Sequence, residues 1–432
     1  MSDRPHVVIV GGGFAGLEAA KKLGRAPVRV TLVDRFNHHT FQPLLYQVAT
    51  AALNAGEIAK PIRSILRRFS NISVRLGRVT SVDVGARQLH LDGQQLGYDY
   101  LILAPGVRHS YFKRPDWEAL APGLKTMEDA LEIRRRVLLA FERAELAETA
   151  DERHRHLTFV VIGGGPTGVE VAGAIAEIRR YALARDFRRI DPRDATVLLL
   201  EGGPRILSSY PPELSQKAKE SLRRLGVEVR TDSMVTEIVP GTVVSAGWRI
   251  PTDTVVWAAG NVANPVLTTL GVPLDEVGRP LVEPDCTIPG HPEVFVLGDA
   301  AAFRHDPRYP SVLPGVAPVA MQQGRYAARA IIADLRQQRR EPFKYKDKGQ
   351  LAVIGRGHGV ADVGPIQIGG LFAWLAWIFI HILYLIGFAN RLVVMFRWAV
   401  LYLSFERGAR LITYEWKPQD LTADRRPVPA DR

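Results

Sequence analysis

The chain has 432 residues, of which 56 are Lys or Arg and 45 are Asp or Glu, so its formal net charge is +11. With 47% hydrophobic and 23% charged residues, the composition is that of a globular protein and excludes a disordered chain. The length predicts two or three domains. A single cysteine, Cys286, excludes an intramolecular disulfide, a CxxC redox pair and a cysteine-based zinc or iron–sulfur site, and we predict no metal site.

The first predicted unit is a strand, a glycine-rich turn and a helix near the N-terminus. The strand His6–Val10 begins too early to leave room for a signal peptide, and we expect none. The turn at 11–16 reads GGGFAG, a GxGxxG fingerprint, and Asp34 ends the next strand 18 residues after it. This order predicts a dinucleotide-binding βαβ unit, with the pyrophosphate at the helix N-terminus and the acid on a ribose hydroxyl. The predicted contacts are Gly11, Gly12, Gly13, Phe14, Ala15, Gly16, Asp34 and Arg35.

The same pattern occurs a second time. The strand Leu157–Ile162 leads into GGGPTG at 163–168, a helix follows, and a further strand ends in Glu201. An insertion rich in Arg and Asp, Arg179–Asp194, lengthens the path from the turn to this acid. We therefore predict a second bound dinucleotide. Its predicted contacts are Gly163, Gly165, Pro166, Thr167, Gly168 and Glu201.

Two dinucleotide folds 152 residues apart imply two cofactors, as electron transfer from a nicotinamide to a flavin requires. On these residues the chain resembles the two-dinucleotide-domain flavoproteins, in which the first fold holds FAD and the second NAD(P)H. The segments Leu101–Gly106 and Val255–Gly260 resemble the crossings between domains in that family. Val294–Asp299 resembles its late FAD strand, whose acid reaches the ribityl chain. The further cofactor contacts that the resemblance implies are Gly106, Gly260, Gly298 and Asp299.

The expected fold class is α/β, with two Rossmann-like dinucleotide-binding domains for FAD and NAD and a C-terminal membrane-associating helical segment. The charged stretch Arg336–Lys348 is the expected link to that segment. The predicted boundaries are 1–118 for the first part of the FAD domain, 119–268 for the NAD domain, 269–333 for the second part of the FAD domain and 334–432 for the C-terminal part.

Cysteine content restricts the electron acceptor. Disulfide reductases need a cysteine pair after the first βαβ unit, whereas Phe41–Thr50 reads FQPLLYQVAT and contains no sulfur. Sulfide:quinone oxidoreductases need several cysteines, so that class is excluded as well. We interpret Cys286 as a packing residue.

The tail is the most apolar part of the chain. Leu371–Phe388 contains His381 as its only strongly polar residue, and we interpret this histidine as a satisfied interfacial side chain. In Ala389–Phe405, polar residues recur every seven positions, which predicts an amphipathic helix. We predict membrane contact, in the interface rather than across the bilayer. A core helix and a subunit interface are the alternatives. The aromatic rings predicted at headgroup level are Trp374, Trp377, Tyr384, Trp398 and Tyr402.

The net charge of +11 has several interpretations. An anionic membrane surface, nucleic acid, acidic small molecules and a simple surface preference for Arg all fit it. Since the sequence carries no recognised nucleic-acid motif, we expect no nucleic-acid partner. Together with the tail, the charge favours an anionic lipid surface as partner. Arg407 and Arg410 contribute to this charge.

With the tail included, the chain resembles the type II NADH dehydrogenases, which are single-subunit NADH:quinone oxidoreductases without proton pumping. The resemblance rests on FQPLLYQVAT, on GGGPTGVEVAG at Gly163–Gly173, on LPGVAPVAMQQGRY at Leu313–Tyr326 and on the aromatic-rich tail. It implies NADH and a membrane quinone as substrates, FAD as cofactor, and a peripheral position on the cytoplasmic face of the cell membrane. A homodimer is left open. Two rival functions remain: a soluble reductase that uses ferredoxin, rubredoxin or oxygen, and a redox sensor associated with nucleic acid.

The resemblance also assigns roles to Gln322, Ala317 and Glu170, and charge repulsion assigns one to Glu201. The family segment A-Q-x-A-x-Q, between flavin and quinone, corresponds to Ala317–Gln322, so Gln322 is assigned to the quinone site and Ala317 to the cofactor. Pro318 replaces the first Gln of that segment, which leaves the quinone type open. Glu170 is assigned to proton supply or nicotinamide gating. Glu201 would repel a 2′-phosphate, so NADH is preferred over NADPH.

Overall fold

The computed structural model describes residues 4–183, 186–309, 311–385, 391–396, 398–399 and 409–412. The helices are α1 Phe14–Leu23, α2 Leu45–Ala49, α3 Ala55–Ile58, α4 Ile62–Leu66, α5 Trp117–Leu120, α6 Met127–Leu146, α7 Ala150–His156, α8 Pro166–Glu177, α9 Pro212–Arg224, α10 Ala317–Leu335 and α11 Leu371–Tyr384. The strands are β1 His6–Val10, β2 Arg29–Asp34, β3 His38–Thr40, β4 Ala59–Pro61, β5 Ile72–Leu76, β6 Val79–Asp83, β7 Gln88–Leu91, β8 Gln94–Gly97, β9 Tyr100–Leu103, β10 Val107–His109, β11 Thr158–Ile162, β12 Thr196–Leu200, β13 Val227–Arg230, β14 Val235–Val239, β15 Thr242–Ser245, β16 Trp248–Pro251, β17 Thr254–Trp257, β18 Asn261–Ala263, β19 Thr287–Ile288, β20 His291–Val296, β21 Gln350–Gly355, β22 His358–Val363 and β23 Ile366–Gly370.

Two compact units divide the chain. The first contains Met1–Phe41, Ala59–Ser110 and Gly260–Gly349. The second contains Gln42–Ile58, Tyr111–Ala259 and Gln350–Arg432. This division assigns 42–58 and the described residues after 349 to the second unit. The sequence-based boundaries at 118, 268 and 333 stay a proposal.

The first unit is built on a six-stranded sheet of order β19-β20-β9-β1-β2-β5. β1 lies between β9 and β2 and is parallel to both, and all five of its residues are buried. This burial explains why the strand is an unbroken β-branched run rather than an alternating one. Helix α10 packs against α1 so closely that a Cβ at Gly324 would lie 2.1 Å from the Ala15 carbonyl oxygen. The turn after β1 is therefore backed by two helices in contact.

The second unit repeats this architecture with four parallel strands of order β13-β12-β11-β17. β11 occupies the central position that β1 has in the first unit, and it is fully buried as well. The α/β class with two dinucleotide-binding folds is confirmed. In both units the glycine-rich turn leaves the carboxyl end of a central strand, where open α/β sheets bind their ligands.

A three-stranded antiparallel sheet, β21-β22-β23, precedes the apolar tail in the second unit. The sequence pattern predicts a helical segment in the C-terminal part but does not indicate this sheet. This sheet docks on α8, where a Cβ at Gly173 would lie 1.8 Å from the Ile354 carbonyl oxygen. It also carries α11, since a Cβ at Gly359 would lie 2.9 Å from the Trp374 amide nitrogen. The tail therefore begins on a platform attached to the second nucleotide-binding fold.

Helix α11 is 14 residues long, and residues 391–396 are helical as well. The prediction that five aromatic rings of this region lie at lipid headgroup level is wrong for its three indoles. Trp374, Trp377 and Trp398 are buried, and the Trp398 Nε1–H donates to Gln47 Oε1 at 2.8 Å. Successive side chains of a helix point to different faces. In α11 the indole rings therefore face the protein, whereas the rings of Phe372 and Phe379 face the surface.

The exposed large apolar side chains among the described residues of 371–396 are those of Leu, Val, Met and Phe. Phe379 is 68% exposed and Phe396 is 71% exposed. We call the following set the apolar face: Leu371, Phe372, Leu375, Phe379, Leu383, Leu392, Val393, Met395 and Phe396.

Among the described residues, no helix has the length and apolar character needed to cross a bilayer. Part of the predicted tail lies outside those residues. This applies to 386–390, to the seven-residue repeat at Asn390, Arg397 and Ser404, and to Tyr402 and Arg407.

The docking of the C-terminal sheet on α8 generates a prediction about stability. We expect Gly173→Ala to lower the unfolding temperature, because the new methyl group would overlap the Ile354 carbonyl oxygen, an overpacking cost of about 1 to 3 kcal/mol. Gly56→Ala in α3 is the matched control, since a Cβ there would have no atom within 4 Å. It should leave the unfolding temperature unchanged or raise it. Both variants are measured by thermal unfolding at saturating cofactor, and equal stability of the two would contradict the docking geometry.

Candidate functional site: two glycine-rich turns

The first glycine-rich turn has the geometry that a dinucleotide requires. Gly11 adopts φ +103°, and a Cβ there would lie 2.2 Å from the Ala104 carbonyl oxygen. A Cβ at Gly16 would lie 1.9 Å from the Gly11 carbonyl oxygen, so only glycine permits this approach of α1 to the turn. At Gly13, by contrast, a Cβ would have no atom within 4 Å. The turn therefore leaves open space at the start of the helix.

The acid of the first site holds this turn in place. The Gly12 N–H donates to Asp34 Oδ2 at 2.5 Å, and the Phe36 N–H donates to Oδ1 at 2.7 Å. Burial raises the pKa of the Asp34 carboxyl, although the two amides act in the opposite direction. Arg35 extends its guanidinium over the Phe36 ring, 4.6 Å from the ring centroid. The structure thus shows Asp34 as a brace for the turn. Its role as an acceptor for a ribose hydroxyl stays a prediction.

The second turn repeats these contacts. Gly163 adopts φ +106°, and a Cβ at Gly168 would lie 1.9 Å from the Gly163 carbonyl oxygen. The Gly164 N–H donates to Glu201 Oε2 at 2.6 Å, and the Gly203 N–H donates to Oε1 at 2.7 Å. The long insertion before Glu201 therefore does not change where its carboxylate lies. The two turns agree in the close approach of the helix and in the two amide contacts to the carboxylate.

Both helix N-termini are free to bind an anion. The N-cap residues of α1 and α8 are Gly13 and Gly165, and neither helix has a side-chain cap. A Cβ at either glycine would have no atom within 4 Å. In α8, Pro166 and Thr167 form the exposed first turn, where the missing N–H of proline costs no hydrogen bond. The first amide groups of each helix can therefore donate to a pyrophosphate, so the residues present fit two dinucleotides.

Other residues predicted to contact the flavin cofactor lie in the first unit. Gly298 adopts φ +67°, and its N–H donates to the buried Gln323 side chain at 2.6 Å. Asp299 follows it, and Ala317 is the first residue of α10. A Cβ on Gly315 would lie 3.2 Å from the Asp299 carboxyl carbon, so glycine at that position leaves the carboxyl accessible. The sequence did not indicate the role of Gln323, which fixes the loop that carries Asp299.

Gly106 and Gly260 both have left-handed backbone conformations, with φ +68° and +75°. The division into units assigns both of them to the first unit, where β10 pairs with β18. The Gly260 carbonyl accepts from the Ser110 amide at 3.3 Å. Their assignment to cofactor contacts stays a prediction.

Glu170 lies in the first turns of α8 and keeps partial exposure as a residue, but its carboxyl group is surrounded by protein. Loss of hydration raises the pKa of Glu170 to about 8. The Val353 N–H approaches Oε1 only to 3.5 Å, so it offers little compensation. At neutral pH this carboxyl group carries a proton, which a general acid or a proton carrier requires.

Gln322 has a contact that the sequence did not reveal. Its Nε2 donates to the Lys346 carbonyl oxygen at 2.8 Å, and its Oε1 accepts from the Lys346 N–H at 2.9 Å. The side-chain amide thus pairs with the main chain of the segment before β21 as a neighbouring strand would. Pro318 lies in the first turn of α10, where a proline is tolerated. A role of Gln322 toward a quinone stays a prediction, and it would require this amide to exchange one of its partners.

Comparison with known proteins agrees with this geometry. Residues 5–324 match the pyridine nucleotide-disulphide oxidoreductase family. Two proteins of Mycobacterium tuberculosis (strain ATCC 25618 / H37Rv), the type II NADH:quinone oxidoreductases Ndh and NdhA, are each 43% identical to this chain. The alignments cover 95% and 96% of this chain and 90% of each relative.

Two solved structures show the same fold. The structure of NDH2 from Plasmodium falciparum in complex with NADH has a TM-score of 0.86 at 20% identity, and the match covers 95% of this chain and 100% of that one. The sulfide:quinone oxidoreductase of Aquifex aeolicus has a TM-score of 0.70 at 17% identity, with 93% and 92% covered. Since the sequence match to the two mycobacterial proteins extends over nearly the whole length, the chain belongs to the type II NADH:quinone oxidoreductases, within the pyridine nucleotide-disulphide oxidoreductase family.

Proposed function

We propose that this protein binds FAD in the first dinucleotide fold and NADH in the second, and that it transfers electrons from NADH to a membrane quinone without pumping protons. The observation that carries the proposal is the repeated turn, with the same close approach and the same carboxylate brace in both folds, in a chain 43% identical to two type II NADH:quinone oxidoreductases. The chemistry supplied by bound FAD is acceptance of a hydride from a nicotinamide and delivery of two electrons to an acceptor.

The residues of the chain would bind and orient the two nucleotides. In the first fold, the open N-terminus of α1 receives a pyrophosphate and Asp34 accepts from a ribose hydroxyl. In the second, α8 and Glu201 have the same functions. We assign Glu170 to proton supply or nicotinamide gating, because its carboxyl group is protonated near neutral pH. We assign Ala317 and Gln322 to the flavin and quinone ends of one segment, with Pro318 limiting the hydrogen bonds available to a quinone headgroup.

Membrane contact is supported by the apolar face. Its side chains are exposed, whereas the indoles behind them are buried in the protein. His381 adds no charge at neutral pH, since burial lowers its pKa to about 4. A set of exposed apolar side chains of this size favours a membrane or protein contact, and a soluble reductase for ferredoxin, rubredoxin or oxygen would not need it.

Anionic lipid is the partner we propose for this face, on the cytoplasmic side of the membrane. The net charge of +11 favours it. Arg410 already pairs with Asp186 and the Ala182 carbonyl oxygen, and Arg391 donates to the Leu385 carbonyl oxygen at 2.8 Å. The Asp186 carboxylate offsets the charge of Arg410, whereas the contact of Arg391 with a neutral carbonyl leaves its charge in place. With one of these two charges offset, we expect apolar insertion to contribute more than electrostatics. A homodimer stays part of the proposal, to be tested by sedimentation.

The function is tested by measuring its two half-reactions separately in anaerobic stopped-flow. The purified protein should be yellow, NADH should bleach it, and a short-chain quinone should restore the colour. Gln322→Leu should slow the quinone step by about 2- to 12-fold, because the loss of one hydrogen bond costs about 0.5 to 1.5 kcal/mol. Reduction by NADH should be nearly unchanged. Gln338→Leu, an exposed glutamine beyond the end of α10, is the control. If the two steps slow equally, Gln322 supports the flavin rather than the quinone. A colourless protein that FAD does not reconstitute would refute the proposed function.

The choice of nicotinamide is tested at Glu201. NADH should reduce the flavin far faster than NADPH, because the carboxylate repels a 2′-phosphate. Glu201→Gln should narrow the ratio of the two kcat/KM values by about tenfold, and it should also raise the KM for NADH, since an amide cannot accept from both Gly164 and Gly203. Glu213→Gln, an exposed acid in the first turn of α9, should leave the ratio unchanged. An unchanged ratio in Glu201→Gln would assign the selectivity to another residue.

Membrane attachment is tested on the apolar face. Leu375→Glu with Phe379→Glu should reduce binding to phosphatidylcholine and phosphatidylglycerol vesicles by more than about tenfold, because burying each apolar side chain is worth about 1.5 to 3 kcal/mol. Raised salt should weaken binding of the parent protein without abolishing it, since apolar insertion is not screened. Trp248→Glu, which changes a 70% exposed indole on β16, is the control. If the double variant bound the vesicles as tightly as the parent protein, the apolar face would not be the membrane-binding surface.

A further inference from the structure

The second glycine of each turn is held by its carbonyl oxygen as well as by its amide. In the second fold, the Leu207 N–H donates to the Gly164 carbonyl oxygen at 2.7 Å. Leu207 adopts φ +48°, a left-handed conformation that leucine rarely takes. The backbone is therefore strained at the residue whose N–H makes this hydrogen bond. In the first fold the corresponding carbonyl belongs to Gly12, and a side chain holds it. His39 Nδ1 lies 2.9 Å from the Gly12 carbonyl oxygen.

This carbonyl controls the direction of the next amide. In a planar trans peptide the carbonyl and the following N–H point in opposite directions. A donor on the Gly12 carbonyl therefore orients the Gly13 N–H toward the other side of the turn. That amide lies at the N-terminus of α1, next to the open space into which a Cβ at Gly13 would point. The same relation holds between Gly164 and Gly165 in the second fold.

The structure fixes the position and tautomer of the His39 ring. The side chain is only 3% exposed, lies on the paired strand β3, and meets the Phe14 ring edge to face at 5.2 Å between centroids. Burial lowers the pKa of His39 to about 4, so the ring is neutral at physiological pH. Because a carbonyl can only accept, Nδ1 carries the hydrogen and Nε2 is left as an acceptor. Among the described residues, Nε2 has no hydrogen-bond partner.

The hydrogen bond that the structure shows for the ring is the one from Nδ1 to the Gly12 carbonyl oxygen. His39 therefore acts on a bound dinucleotide through Gly12. We propose that His39 is the positioning residue of the FAD pyrophosphate, because its Nδ1–H holds the Gly12 carbonyl and so directs the Gly13 amide to the phosphates, as the Leu207 amide does for the nicotinamide site. The inference rests on the proposed function only in assigning FAD to the first fold.

The test compares three variants of the full-length protein. His39→Phe keeps a ring against Phe14 but removes the donor, His39→Asn places an amide N–H near the position of Nδ1, and His38→Phe changes the partly exposed neighbouring histidine. The measurements are the dissociation constant of FAD after deflavination and rebinding, and the ³¹P resonances of the bound pyrophosphate. We expect His39→Phe to weaken FAD binding by about tenfold and to shift these resonances. His39→Asn should restore most of the affinity, and His38→Phe should match the parent.

Binding of NADH to the FAD-saturated variants separates this role from general damage. It should be unchanged in all three, since Leu207 holds the second turn with a main-chain amide. If His39→Phe does not fold, His39→Gln replaces it, because its amide reaches the position of Nε2 rather than Nδ1. FAD affinity within twofold of the parent in His39→Phe, or equal losses in His39→Phe and His39→Asn, would overturn the inference. Absence of FAD binding in the parent protein would instead refute the proposed function.

Discussion

The close approach of each phosphate-binding helix to the turn before it is the constraint on which both nucleotide sites depend. At Gly16 and at Gly168 a Cβ would lie 1.9 Å from the carbonyl oxygen of the first glycine of the turn. No side chain fits at that distance, and no rearrangement of a flexible group can relieve the overlap because the opposing atom belongs to the backbone. The helix can therefore start directly at the end of a buried central strand, and its free amide groups are presented at the carboxyl edge of the sheet.

The carboxylates and carbonyl contacts complete that arrangement. In each fold an acid at the end of the second strand braces the turn from one side through an N–H, and a donor holds the carbonyl of the same glycine. The chain uses the imidazole of His39 for the second contact in one fold and the main chain of Leu207 in the other. The same contact thus has a different chemical origin in each fold. The His39 donor is lost in most substitutions at that position, whereas the Leu207 amide is lost only when proline replaces the residue.

The parts of the fold that could be predicted from sequence are those determined by local patterns. The two fingerprints, their strands and Asp34 and Glu201 follow from residues within about 40 positions, where glycine has few substitutes. The sheet β21-β22-β23 could not be predicted, because its strands contain several glycines and are stabilised by docking on α8. The pairing of Gln322 with Lys346 and the role of His39 depend on contacts that no spacing reveals.

For the tail, too, the sequence predicts only part of the structure. Its composition correctly indicates a surface that water does not favour, since aliphatic and phenyl side chains of the apolar face are exposed. It does not indicate which aromatic rings face inward. Trp377 packs against Tyr46, His381 and Trp398, with ring centroids 6.3, 4.1 and 5.5 Å away. One of the rings predicted at headgroup level therefore belongs to the core of the second unit.

The hydrogen bond between Trp398 and Gln47 joins residues 351 positions apart in the chain. The second unit takes segments from near the beginning, from the middle and from near the end of the sequence. During synthesis, the segment around Gln47 must therefore wait for residue 398 to leave the ribosome before its buried amide finds that partner. Until then the apolar surface around Tyr46 is uncovered, and contacts of such long range are slow to form and open to misassembly. Completion of the second unit thus depends on the order in which its segments are synthesised as well as on their contacts.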